Sequence, residues 1–296
     1  MDISGLQAFV SVAENASFSA AADALHLTQP AVSKRIASLE TELSNRLFDR
    51  IGRQIQLTEA GQALLPRARN IIREVQDSQR AISNLSSEIE GRLCIGTSHH
   101  IGLHRLPPVL RHYNQSFPDV ELDMQFLDSE QACKAVLHGD LELGIVTLPP
   151  DNTEPLTLIP LWNDPLCIVT SQDHPLVTES DIQLLSLAKY PAVLPARGTF
   201  TREVIEDVLK PAGVALQVRL STNYLETIRM MVEIGLGWSV LPKTMLHAEL
   251  HSINVAGINL HRQLGIVIHT ERTLSNAAQA MCDLLIQAAD PEQTST

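Results

Sequence analysis

The chain has 296 residues, 44% of them hydrophobic and 19% charged, which is enough apolar material for two or three packed domains and excludes a disordered protein. Aromatic residues make up only 4%, so the cores must be built from Leu, Ile, Val and Ala, and the formal net charge is −12. That acidity argues against a nucleic-acid partner only if it is spread evenly, and it is not. From residue 91 onward there are 13 Lys and Arg against 23 Asp and Glu, whereas residues 29–57 carry Lys34, Arg35, Arg46, Arg50 and Arg53 against Glu40, Glu42 and Asp49. A modestly basic head on an acidic body can meet DNA, because screening at physiological salt cuts off distant repulsion within about 8 Å.

In chain order, Leu6, Phe9, Val10 and Ala13 line one face of a first helix. Residues 19–25 predict a short second helix with Ser19 as N-cap. A brief turn at His26-Leu27 leads to Thr28, the expected cap of a third helix that has Pro30 in its first turn, where a missing N–H costs nothing. Val32, Ile36, Leu39 and Leu43 form its packing face, leaving Gln29, Ser33 and Lys34 on another. Residues 47–50 and 54–57 predict a two-stranded wing turning at Ile51-Gly52-Arg53. From Thr58 to about Ile89 a long helix is expected, kinked or started by Pro66. Gly61, Ala68, Val75, Ile82 and Ile89 recur every seven residues, with Leu64, Ile71 and Leu85 in a second row broken by Ser78. This is a seam for helix pairing, the alternative being packing on the helix's own domain.

Beyond residue 90, strand and helix patterns alternate: strand at 93–96, helix at 104–116, strand at 120–126, helix at 129–138 and a buried strand at 143–147. After a loop at 149–155 a second series follows, with segments at 166–170, 180–187, 192–194, 201–209, 216–220, 224–234 and 238–241. This is an α/β pattern with a largely parallel sheet. Residues 264–269 and a helix at 276–289 can add back to the first sheet, giving two crossovers between two lobes.

The chemistry concentrates in two places. At the start of a helix that enters a major groove, Gln29 can bond adenine, Lys34 guanine or phosphate, and Ser33 either a base or a phosphate. Arg50 and Arg53 flank the wing turn, where a minor-groove or phosphate contact is natural. In open α/β sheets, ligands sit outside the carboxyl ends of strands. There the sequence places Ser98, His99 and His100 after one strand, Arg197, Thr199 and Thr201 after another, and Thr222 after a third, with Asp128 and Thr147 at further strand ends. Such hydroxyls and free amides suit a small anion, though each segment can equally be a capping turn.

No signal peptide and no apolar run of about 18 residues is present, so a cytoplasmic protein without membrane contact is expected. The scattered Cys94, Cys133, Cys167 and Cys282 read as buried thiols. His100 and His104 share a helical spacing suited to metal, but no further ligand can be assigned, so neither metal nor cofactor is expected. Without a Gly-x-Ser-x-Gly, His-Glu-x-x-His or Gly-x-x-x-x-Gly-Lys motif, no catalysis is expected either.

The run FSAAADALHLTQPAVSKRIASLE at 18–40, with LFDR at 47–50 and LTEAG at 57–61, resembles the winged helix-turn-helix of LysR-type transcriptional regulators. LHGDLELGI at 137–145 and GLGWSVLP at 235–242 are similar to that family's effector-domain signatures. The resemblance covers the whole chain. It implies a winged helix-turn-helix at 1–57, a dimerising linker helix at 58–90 and a two-lobed, periplasmic-binding-protein-like effector domain at 91–296. Lobe I would take 91–161 and 267–296, and lobe II 162–266. It also implies Gln29, Pro30, Ser33 and Lys34 as the groove-facing set, with Arg53 on the wing. The expected partners are double-stranded DNA with an interrupted palindrome, a small-molecule effector and a second pair of subunits, as a dimer of dimers. A cytosolic small-molecule-binding protein that oligomerises through its N-terminal helices, and an enzyme on a two-lobed fold, stand as the alternatives.

Overall fold

The computed structural model describes residues 1–51, 54–86, 88–151, 155–179, 182–211, 213, 215–255 and 258–290. The chain divides into two units, Met1–Ser86 and Ser87–Thr296.

In the first unit, α1 (Ile3–Asn15), α2 (Phe18–Ala24) and α3 (Gln29–Leu43) are followed by β1 (Phe48–Ile51), β2 (Gln54–Leu57) and α4 (Glu59–Ser83). Leu6, Phe9, Val12, Val32, Ile36, Leu39 and Leu47 meet in one core, each fully buried aliphatic side chain contributing about 1.5–3 kcal/mol. The face predicted for α3 is the observed one at Val32, Ile36 and Leu39, with Leu43 partly buried, whereas α1 turns Ala8 and Val12 into the core beside Leu6 and Phe9 and leaves the expected Val10 and Ala13 only partly buried. The cap of α2 is Ser17 rather than Ser19: its Oγ accepts from the Ala20 amide at 3.2 Å, and Ser19 lies inside the helix. Thr28 takes the N-cap position of α3 but makes no side-chain cap bond. Thr58 caps α4 as expected, its Oγ1 accepting from the Gly61 amide at 3.0 Å and donating to the Arg46 carbonyl at 2.7 Å.

The seven-residue seam divides in three. Gly61 and Ala68 are buried against the head, and a Cβ on Gly61 would lie 2.3 Å from the Leu47 carbonyl oxygen. Ile82, 70% exposed near the end of α4, and Leu85, 85% exposed just beyond it, have no apolar cover. Ile89 lies past the helix and packs on the core of the second unit. Pro66 sits inside a continuous α4.

The second unit holds β3 (Gly91–Thr97), α5 (His99–His104), α6 (Pro107–Ser116), β4 (Val120–Phe126), α7 (Ser129–His138), β5 (Leu143–Thr147) and β6 (Leu156–Ser171). Then come β7 (Ala192–Leu194), α8 (Phe200–Leu209), β8 (Val218–Ser221), α9 (Leu225–Glu233), β9 (Ser239–Pro242), β10 (Leu250–Ile253), β11 (Leu260–His269) and α10 (Asn276–Gln287). The large sheet runs β10-β6-β11-β5-β3-β4, with β9 also on β6. β3 is parallel to β4 and β5, while β11 is antiparallel to both β5 and β6.

Leu93, Ile95, Leu143, Ile145, Ile266 and Met281 form the core of one lobe. Leu166, Ile168, Leu194, Ile205, Trp238 and Val240 form that of the other. The long strands β6 and β11 run through both lobes. Only the second half of β6 reads as strand in the sequence, because Pro160, Asn163, Asp164 and Pro165 break the apolar run. The pairing tolerates them through a bulge at Leu264/Gly265. A Cβ on Gly265 would stand 2.2 Å from the Ile159 carbonyl oxygen, so glycine is the residue that lets the strands approach here. The helix expected at 104–116 begins only at Pro107, as α6, and a separate short helix that the sequence reading did not expect, α5, precedes it.

Candidate functional site

On the head, the turn between α2 and α3 closes with the Leu27 amide on the Ala22 carbonyl at 2.8 Å, and His26 takes a left-handed φ of 52° to make it. This presents the first turns of α3 outward. Gln29, Pro30 and Lys34 are exposed and Ser33 half-buried. Gln29 Nε2 donates to Ser33 Oγ at 2.8 Å across one turn, which orients the amide. Arg50 pairs through its backbone with Ile55 across the wing. Its side chain, and all of Arg53, lie outside the described residues.

The second site is a cavity of about 140 Å³ between the lobes. Seven of the nine residues singled out in the sequence line it: Ser98, His99, His100, Asp128, Thr147, Thr199 and Thr201. Arg197 and Thr222 are not among its lining. Arg197 is exposed beside Gly198, and Thr222 Oγ1 instead accepts from the Tyr224 amide at 3.4 Å, holding the turn before α9. Strand ends are what bring most of the lining together: Ser98 follows β3 and leads into His99 and His100 of α5, Thr147 ends β5, the β4–α7, β7–α8 and β8–α9 connections and the helix starts after them supply others, and β11 contributes one residue from within the strand.

Much of that lining is already bonded. Thr199 Oγ1 accepts from the Arg202 amide at 3.3 Å and donates to the Ala196 carbonyl at 2.9 Å, so it caps α8. Asn223 Nδ2 donates to Asp128 Oδ2 at 2.7 Å, joining lobe II to lobe I. The Phe200 amide donates to Glu130 Oε1, a second bond between lobes. Burial raises the Glu130 carboxyl above its ordinary value, against the lowering effect of that bond. The exposed His99 ring sits 5.1 Å from Phe126 and 5.1 Å from Tyr224, an aromatic rim drawn from both lobes.

The residue sequence reasoning missed is Arg262. Buried in the cavity wall on β11, it donates from Nε to Asp164 Oδ2 at 2.8 Å and from Nη1 to Thr201 Oγ1 at 2.8 Å. Its Nη2 is buried and has no partner among the described residues. The signal was present: Arg262 falls between Leu260 and Leu264 on the inward-facing alternation of a strand, where a charge is costly unless paired.

Residues 86–290 match the LysR substrate binding domain, and residues 3–62 match the bacterial regulatory helix-turn-helix protein, lysR family. The chain belongs to the LysR family of transcriptional regulators. A probable RuBisCO transcriptional regulator of Synechocystis is 32% identical over 305 residues, spanning 97% of this chain and 88% of its own. Full-length OxyR of Pseudomonas aeruginosa shares the fold with a TM-score of 0.72 at 23% identity, over 100% of this chain and 98% of its own. CbnR in complex with its target DNA does so at 0.62 and 20%, over 98% of this chain and 100% of its own. This LysR-type regulator is therefore a sequence-specific DNA-binding protein, and neither the oligomerising carrier nor the enzyme reading applies. A winged helix-turn-helix, a long helix and a two-lobed α/β effector domain make up its architecture.

Proposed function

We propose that the effector is a small anion held between the two lobes by Arg262 with Ser98, Thr147 and Thr201. The carrying observation is the unpartnered Nη2 of Arg262, a buried donor that a carboxylate or inorganic oxyanion would satisfy with a charge-assisted bond. Asp164 neutralises the guanidinium without using that nitrogen. The aromatic rim of His99, Phe126 and Tyr224 lines the same cavity. Thermal-shift and calorimetric screening of the full chain against small oxyanions tests this. Arg262→Lys, which keeps the charge but loses the fork, should weaken binding of any hit by at least about tenfold. Equal affinity in that variant would remove Arg262 from the site.

On the DNA side, Gln29, Pro30, Ser33 and Lys34 make the major-groove face, with Arg50 and Arg53 of the wing on phosphate or the minor groove. The exposure of Gln29, Pro30 and Lys34 on the first turns of α3, with half-buried Ser33 bonded to Gln29, supports this for the four helix residues. The uncovered Ile82 and Leu85 support pairing of chains through the end of the α4 segment, and a dimer of dimers on an interrupted palindrome follows from such pairing. Among the described residues no helix is long and apolar enough to cross a membrane, and we place the protein with its DNA in the cytoplasm.

A further inference from the structure

We propose that His100, His104 and Glu226 form a site for a divalent transition-metal ion, zinc first, that clasps lobe I to lobe II. The two histidines stand one turn apart on α5, and Glu226 comes from the first turn of α9, 122 residues away from His104. That distance in sequence is why the acidic ligand could not be named from the chain alone.

The geometry fits an ion. Glu226 Oε1 is 3.1 Å from His104 Nε2 and 3.7 Å from His100 Nδ1, and the three ligand atoms lie within 4.8 Å of one another. Ligands about 2.0–2.2 Å from a tetrahedral zinc stand roughly 3.4 Å apart, so a small adjustment of exposed His104 admits the ion. Two imidazoles and one carboxylate are a borderline nitrogen-and-oxygen set of the kind that selects zinc over magnesium or calcium.

An independent observation points the same way. His100 is only 4% exposed, and its Nδ1 is buried with no hydrogen-bond partner among the described residues. A buried imidazole nitrogen with nothing to bond is costly, and a metal would satisfy it. Arg262 faces the site as a repelling charge, but Asp164 is bonded to it at 2.8 Å. Three protein donors leave a fourth position for water or an anion. The proposal stands whether or not the effector is itself an anion.

Isothermal titration of Zn²⁺ into the metal-stripped full-length chain tests it, alongside Co²⁺ absorption to read coordination. The expected result is one ion per chain, intense visible Co²⁺ bands typical of tetrahedral coordination, and a Tm rise on adding Zn²⁺. H104A and E226Q should each lose more than the roughly 10–100-fold in affinity that an outer-sphere partner costs, and lose the Tm rise. Both residues are partly exposed, so these chains should fold, and His247→Ala controls for the second histidine–carboxylate group at Glu233, His247 and Glu249. Absence of binding, binding unchanged in both H104A and E226Q, or binding lost only in H247A would overturn the assignment.

Discussion

The two functional surfaces are built in opposite ways. The side chains proposed to face the groove stand on two successive turns of one helix, Gln29, Pro30 and Lys34 exposed and Ser33 half-buried, with a bond from Gln29 to Ser33. The cleft gathers its polar groups from six chain segments between Ser98 and Arg262, and many of them are buried and bonded to each other. A surface built on one helix can change its chemistry without disturbing the fold. A surface assembled from both lobes cannot, because many of its polar groups are also part of the packing, and a bond such as Asn223 to Asp128 both shapes the pocket and joins the lobes.

The sharpest way to break this comparison is to remove one charge from each surface. Among the described residues, Arg262→Met leaves Asp164, which is completely buried, with only the distant Arg105 at 3.9 Å. It should cost about 3–5 kcal/mol in urea denaturation. Lys34→Ala should change stability by less than about 0.5 kcal/mol. Similar losses for the two would erase the distinction.

A pH scan sharpens it further. His100 titrates at about 4 when folded against 6.5 as its ordinary value, because burial disfavours its charged form. Between those values the unfolded chain binds the extra proton, so stability should fall as pH drops from about 6.5 toward 4. The loss should be about 1–3 kcal/mol, each pKa unit being worth about 1.4 kcal/mol. His100→Gln should flatten that slope in denaturation measured across the window. An unchanged slope would mean that His100 is not the group responsible. No residue of the groove face should give a comparable slope.

The smallest effect separates two serines of the head. Ser17→Ala should cost about 1 kcal/mol as loss of a cap, and Ser19→Ala less than about 0.5 kcal/mol. Equal melting points for the two would put the start of α2 back at Ser19.

The same contrast governs what could be read from the residues. α3 and the wing were legible because turn, cap position and apolar spacing all lie within some thirty consecutive residues. The strand ends at Ser98, Thr147 and Thr199 were legible for the same reason. Three things were not. The partnership of Asn223 with Asp128, of Arg262 with Thr201 and of Glu226 with His104 depends on which lobes the chain has crossed between, and spacing carries no trace of it. The first half of β6 was hidden by Pro160 and Pro165, whose local preference is overridden by pairing along β11. The seven-residue seam from Gly61 to Ile89 looked like one surface, yet its first part serves the head core and Ile89 another core. Periodicity reports that a face is apolar, not what covers it.

The central claim is that the first turns of α3 read base sequence. Its most direct test is quantitative binding of the wild type, Gln29→Ala and Ser33→Ala to a set of single-base variants of its promoter-region DNA at one fixed salt concentration. The account predicts that each variant protein loses about 1–3 kcal/mol of discrimination at one base position while its overall fold and phosphate-driven binding persist. Wild-type discrimination at every position in both variants would contradict it.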